Sequence, residues 1–368
     1  MNTKFLNGAC RVLLALVFSL SLAGISTQEA HAATYNVSTL SDSGVGSLRE
    51  AITSANGHLG ADTITFNLSG KIMLGSSLPA ISEDLTITGS GQDVIISGMG
   101  ICRVLYVNAS TIVTISNLAI ADGYTGATTG AGIYNAGSLT VRDVTFSGNG
   151  AGLHGGAIYD HFGTLMVLNS TFTENSVGAL YKGGAIYAIN GIVTVVNSTF
   201  AGNVADKGGG IFNDLGTLRV TNSTFSGNTG TTHGGAIYST GGSLYLKNNI
   251  LANSTAPDDC YSETVLSSDI HNLIEVNWGC GTPVSSADPK LVPLADNGGP
   301  TRTFALLPGS PAFDAGDDTT CTAAPVYDLD QRGVSRPHGA HCDIGSFEMD
   351  KGTLTARSVD TYDGWILE

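Results

Sequence analysis

The sequence predicts an all-β fold, a right-handed parallel β-helix with an N-terminal capping helix and a loop-rich C-terminal cap. Three observations predict it. A five-residue glycine motif recurs about every 26 residues, and a Phe-x-x-Asn motif keeps step with it. Between the two lies a short stretch of alternating side chains.

Composition frames these observations. The chain has 368 residues, 49 of them glycine, and only 13% are charged. A disordered chain shows the reverse, with many charges and few β-branched residues. The net charge of −15 argues against nucleic acid as a partner, because phosphate binding needs clustered Lys and Arg. It also argues against a tightly bound polyanion unless calcium bridges it. No other cofactor is implied, and no pattern marks a calcium site.

Residues 1–32 read as a signal peptide for Sec export. Lys4 and Arg11 form a positive start, Val12 to Ala23 is apolar, and Ala30-His31-Ala32 is a small-x-small cleavage site. That apolar run is short for a bilayer, and no later segment is long and apolar enough to span one. No transmembrane segment is expected, and the chain is expected outside the cytoplasm.

Residues 33–84 read as an N-terminal cap holding a helix over 47–56. Ser47 and Glu50 form a capping box, Leu48, Ala51 and Ile52 make an apolar face, and Gly57 ends the helix. A plug of this kind shields the open end of a stacked coil.

Residues 85–285 read as the coils, regular over 130–253. Gly-Gly-Ala-Ile-Tyr begins at Gly155, Gly183 and Gly234, with variants at Gly130 and Gly208. Phe146 to Asn149, Phe172 to Asn175, Phe200 to Asn203 and Phe225 to Asn228 repeat in step. Triplets such as Leu139-Thr140-Val141 and Val193-Thr194-Val195 alternate as a strand with one buried face does. Paired glycines mark a corner of close backbone approach. The terminal Asn of each Phe motif suits a left-handed turn, and stacking predicts an amide ladder through Asn149, Asn175, Asn203 and Asn228. Ile133, Ile158, Ile186, Ile211 and Ile237 are expected in the core. Tyr134, Tyr159, Tyr187, Phe212 and Tyr238 then read either as an outward aromatic stripe or as part of the interior, which aromatics also fill in β-helices.

Residues 286–350 read as the C-terminal cap, and 351–368 as a tail without interpretable signal. An oxidising compartment favours pairing of neighbouring cysteines, Cys260 with Cys280 and Cys321 with Cys342. Each loop of this length stabilises by about 3 kcal/mol in the loop-entropy account. Cys102 is left as a buried small hydrophobe. No CxxC or HxxxH spacing points to a metal.

These residues carry a family resemblance. Gly-Gly-Ala-Ile with Phe-x-x-Asn resembles the passenger repeat of chlamydial polymorphic outer membrane proteins. Gly46-Ser47-Leu48-Arg49-Glu50-Ala51-Ile52 resembles the CSLREA motif of bacterial β-helix surface proteins, with Gly46 where the family has Cys. Asp296-Asn297-Gly298-Gly299-Pro300, Pro308-Gly309-Ser310-Pro311-Ala312, Asp330-Gln331-Arg332-Gly333 and Cys342-Asp343-Ile344-Gly345 are similar to the end of choice-of-anchor Q proteins. The resemblance implies a pectate-lyase-like solenoid, either secreted or associated with the cell surface or outer membrane. No alternating ten-residue strands of a β-barrel translocator follow the coils, so plain secretion is expected over barrel anchoring.

Two candidate binding features stand out. The aromatic stripe offers faces for sugar rings. The residues before each glycine pair, His154, Lys182, Lys207 and His233, line up along one corner. They read either as contacts to an acidic glycan or as a solvated corner, where Thr129 also serves. The repeated Asn-Ser-Thr at Asn169, Asn197 and Asn222 matches a glycosylation sequon, but its fixed place in the repeat favours a structural role. Asp328, Asp330, Arg332, His338, His341 and Asp343 are read as ion pairs that rigidify loops.

The expected function is a non-catalytic, adhesin-like or glycan-binding module with polysaccharide or host-surface glycans as partners. The alternative is an extracellular polysaccharide lyase or glycoside hydrolase acting on an acidic polysaccharide. It needs clustered carboxylates with a base. Only Asp160 and Asp214 approach one corner, two coils apart, and no catalytic residue is assigned.

Overall fold

Parallel strands need a long return path between them, and here one turn of the coil supplies it. The computed structural model describes residues 31–350. The signal-peptide segment therefore lies almost wholly outside the described residues, and the tail wholly so. Among the described residues the strands form three parallel sheets of 17, eight and five strands, a parallel β-helix.

One coil shows how the repeat maps onto the sheets. Ile158–His161 lies in the eight-stranded sheet, Thr164–Leu168 and Thr171–Thr173 in the largest, and Ser176–Val177 in the smallest. Phe162, Asn169 and Glu174 turn the chain between them with positive φ of 57°, 49° and 56°. The glycine pair closes the coil. Gly183 takes φ of 71°, and a Cβ on Gly184 would meet the backbone N and O of Val204 at 2.7 Å.

Strand alternation fills the interior. Ile158, Leu165, Val167 and Phe172 are fully buried. The register pairs Ile133, Ile158, Ile186, Ile211 and Ile237 in succession. Phe146, Phe172, Phe200 and Phe225 stack inside with ring centroids 4.7, 4.6 and 4.4 Å apart. The amide ladder is present. Asn149 Nδ2 donates to Asn175 Oδ1 at 2.9 Å, Asn175 Nδ2 to Asn203 Oδ1 at 2.9 Å and Asn203 Nδ2 to Asn228 Oδ1 at 2.8 Å.

One detail of the turn differs from the sequence reading. The ladder asparagines do not hold the left-handed turn; Gly148, Glu174, Gly202 and Gly227 before them do. The asparagine side chains point inward to satisfy backbone groups of the neighbouring coil. The sequon asparagines Asn169, Asn197 and Asn222 are the ones with positive φ. Their following serines build a second ladder, with Ser170 N donating to Ser198 Oγ and Ser198 N to Ser223 Oγ at 3.2 Å. Asn197 and Asn222 are buried, so the motif serves the fold.

The ladder also begins earlier than residue 85. Thr34–Val37, Asp62–Phe66 and Gly70–Met73 already pair in parallel within the largest sheet. The helix Leu48–Asn56 lies between the first two, N-capped by Ser47, whose Oγ accepts from Glu50 N at 3.2 Å. Leu48, Ala51, Ile52 and Ala55 bury against the first coil and join the core.

Both expected disulfides are present, and Cys102 is free and buried. Cys260 stands in register with Ile237, taking the isoleucine place in the last coils. It and Cys280 are fully buried in the core, so this bridge closes the interior of the C-terminal end. The segment after it does not cover that end alone. It runs along the flank of the solenoid, across the outer face of the Thr-Phe-x strands. Thr301 Oγ1 donates to Asn169 O at 2.7 Å, Asn197 Nδ2 to Leu329 O at 3.0 Å and Ser346 N to Thr224 Oγ1 at 3.0 Å. Asn248 Nδ2 donates to Asp317 O at 3.1 Å. Four coils are thereby strapped together.

Candidate functional site

The outer face of the eight-stranded sheet carries the aromatic stripe, because each Tyr or Phe follows an inward Ile. The stripe is longer than the five residues of the regular repeat. Tyr106, Tyr134, Tyr159, Tyr187, Phe212, Tyr238, Tyr261 and Trp278 form one continuous stack, with successive centroids 4.5 to 5.3 Å apart. Tyr106 and Tyr261 follow Leu105 and Cys260 in degenerate coils. Sliding an "apolar residue then aromatic" pair along the coil period would have found both.

The corner column lies against this stripe. Gly155 N donates to Lys182 O, Gly183 N to Lys207 O and Gly208 N to His233 O, which stacks the column rung by rung. Each side chain then reaches the ring of the next coil. The His154 ring lies 4.6 Å from Tyr187, Lys182 Nζ lies 4.5 Å from the Phe212 centroid and Lys207 Nζ 4.8 Å from Tyr238. His233 lies 4.3 Å from Tyr261. Arg103 covers Tyr106 and Tyr134 at 5.7 and 5.4 Å. The two sequence features are one site.

This contact corrects the expectation of an open row of rings. Tyr187, Phe212 and Tyr238 are only 5%, 0% and 2% exposed. The half-buried basic column forms the outer surface over them, while Trp278 at one end is 57% exposed. The stack is open at its Trp278 end and covered by cations and imidazoles in its middle.

Electrostatics follow from burial and neighbours. Burial, then the nearby Lys182, holds His154 below the usual histidine range, so its imidazole is neutral at neutral pH. Tyr187 donates to Asp214 Oδ2 and Tyr238 to Glu263 Oε1, each at 2.5 Å. Burial and then these carboxylates push both phenols above the ordinary tyrosine range. His233 Nδ1 lies 2.7 Å from Asp258 Oδ2. Lys182 and Lys207 have no carboxylate partner among the described residues; Lys207 Nζ donates only to Tyr238 Oη at 3.4 Å. Their charges rest on π faces.

The two carboxylates considered for catalysis do not meet. Asp160 pairs in register with Ala188 and Asn213 and faces the interior, fully buried. Asp214 is the next residue after Asn213, so alternation places it on the outer face. Burial pushes Asp160 up to about 7 against one hydrogen bond, from Asn135 Nδ2 at 2.5 Å. Its second oxygen has no partner. Among the described residues no group of three or more His, Cys, Asp or Glu is arranged to hold a metal ion. No helix there is long and apolar enough to cross a membrane.

The C-terminal charges lie in the flank segment, away from the stripe. Arg332 pairs with Asp330 at 2.7 Å and His341 with Asp318 at 2.9 Å. The fully buried Arg336, absent from the sequence reading, contacts Glu348 at 3.4 Å. Burial and then Glu348 push Asp343 up to about 7.

Residues 143–160, 169–189 and 222–240 match the Chlamydia polymorphic membrane protein repeat. No curated protein matches the chain. Among solved structures, the 1.7 Å crystal structure of jun a 1, the major allergen from cedar pollen, is similar at 16% identity, with a TM-score of 0.39. The likeness covers 82% of this chain and 88% of that one.

Proposed function

We propose that this chain is a surface-displayed or secreted binding module. It offers the ring-and-cation stripe of its eight-stranded sheet to polysaccharides or cell-surface glycans. The match to a polymorphic membrane protein repeat supports a surface location, and two disulfides fit an oxidising compartment. The observation that carries the binding reading is the unbroken stack from Tyr106 to Trp278 with cations laid against it. Rings in register cost nothing to a structural module, but placing long charged side chains over them costs rotamer entropy. A solvated corner would not gather Lys182 and Lys207 on adjacent coils, with Arg103 over the same stack, in a protein with 16 Lys and Arg against 31 acidic residues.

A glycan-array screen of the purified protein beside a Tyr159→Ala/Trp278→Ala variant tests this. Binding by the parent that falls about tenfold or more in the variant supports the reading, as expected for lost aromatic contacts of 0.5–1.5 kcal/mol or more each. No captured glycan, or equal binding by both proteins, defeats it.

A further inference from the structure

We propose that Lys182 and Lys207 anchor an anionic polysaccharide, carboxylated or sulfated, running along the solenoid axis. This rests on the glycan-binding reading above and names its ligand class. The two residues are paired by a parallel bridge, so their backbones lie one strand spacing apart, about 4.8 Å. Like charges placed opposite each other on neighbouring strands destabilise a sheet. Among the described residues, four of the ten other Lys and Arg are neutralised by a carboxylate. Arg49 pairs with Asp42, Lys71 with Asp122, Arg332 with Asp330 and Arg336 with Glu348.

Carboxylates along the same face are already engaged. Tyr187 holds Asp214, Tyr238 holds Glu263, His233 and Gly234 N hold Asp258, and Thr231 Oγ1 donates to Asp206. The lysines are instead steadied by Phe212 and Tyr238 at 4.5 and 4.8 Å. A ring face fixes an ammonium without cancelling its charge. Two uncancelled ammonium groups on adjacent coils suit an anion, and a repeating anion along the coil axis matches a repeating cation. Arg103, over the rings three coils upstream, extends the line. The net charge of the chain does not forbid this, because carboxylates farther than about 10 Å are screened at 0.1 M salt.

The test is isothermal titration of the purified protein with polygalacturonate, heparin and neutral dextran at low and high salt. It compares the parent with Lys182→Gln/Lys207→Gln, Lys182→Arg/Lys207→Arg and, as a remote control, Lys290→Gln. The expected result is salt-sensitive binding of an anionic polymer, weakened about a hundredfold in the Gln pair. The Arg pair and the control retain it, and thermal melts show each variant folded. Anionic binding unchanged in the Gln pair overturns the proposal. Binding of dextran alone, indifferent to both lysines, overturns the anionic class and leaves the glycan-binding reading standing. Binding of none of the three polymers overturns the anionic proposal, and the glycan array then decides the broader reading.

Discussion

Lys207 Nζ sits 4.8 Å from the ring of Tyr238, one coil further along, rather than over Phe212 of its own coil. The same forward reach carries Lys182 to Phe212 and His154 to Tyr187. Each coil therefore contributes a ring to one neighbour and a cover to the other, and the stripe belongs to the stack rather than to any single repeat.

The amide ladder holds that stack in register. Asn203 Nδ2 donates to Phe172 O at 3.0 Å and Asn228 Oδ1 at 2.8 Å, and its Oδ1 accepts from Asn175 N and Nδ2. Asn203→Ala strands buried partners on both sides. Chemical denaturation should show a loss of about 3 kcal/mol, whereas a change under 0.5 kcal/mol would mean the ladder is incidental.

Asp160 makes the interior sensitive to pH. Its folded value, about 7, lies above the unfolded value near 3.9. The group therefore leaves stability intact below pH 4 and removes it progressively as the pH rises towards 7. Asp160→Asn should abolish this loss and be more stable than the parent at pH 8 by a few kcal/mol. Denaturation midpoints across pH 4 to 8 that run parallel in the two proteins would contradict the assignment.

Corner glycines are required by backbone approach. A Cβ at residue 184 would meet Val204 N and O at 2.7 Å, neither of which can move aside. Gly184→Ala should cost about 3 kcal/mol or more. Alanine is tolerated where Ala185 already stands, so a neutral Gly184→Ala in thermal melts would refute the packing.

Gln331 clamps the flank segment. Its Nε2 donates to Thr301 Oγ1 at 2.9 Å and Thr171 Oγ1 at 3.0 Å, and Thr199 Oγ1 donates to its Oε1 at 2.7 Å. Gln331→Ala should release residues 300–347 to limited proteolysis while the coils resist. Equal cleavage of coils and flank would show that the segment is not separately strapped.

What could be read from sequence followed identity between repeats. Ile, Phe and Asn columns recur at one period, and stacking like on like fixes both register and facing. The cover over Tyr187, Phe212 and Tyr238 could not be read that way, because it depends on how far a side chain reaches along the axis. Cys260 in the isoleucine place was hidden by its chemical difference from Ile237. The flank segment has no period, and its clamps join Gln331 to Thr171 and Thr199 across more than a hundred residues. Spacing alone brings Asp160 and Asp214 toward one corner two coils apart; that they lie on opposite sides of their strands follows from register, which pairs Asp160 with Ala188 and Asn213.

Hydrogen–deuterium exchange with and without a captured glycan tests most directly that this face is the binding face. The account predicts added protection in Ile158–His161, Ile186–Ile189, Ile211–Asp214 and Ile237–Thr240 and in the corner residues His154, Lys182, Lys207 and His233. Protection confined to the largest sheet or to the flank segment, with these strands unchanged, would contradict it.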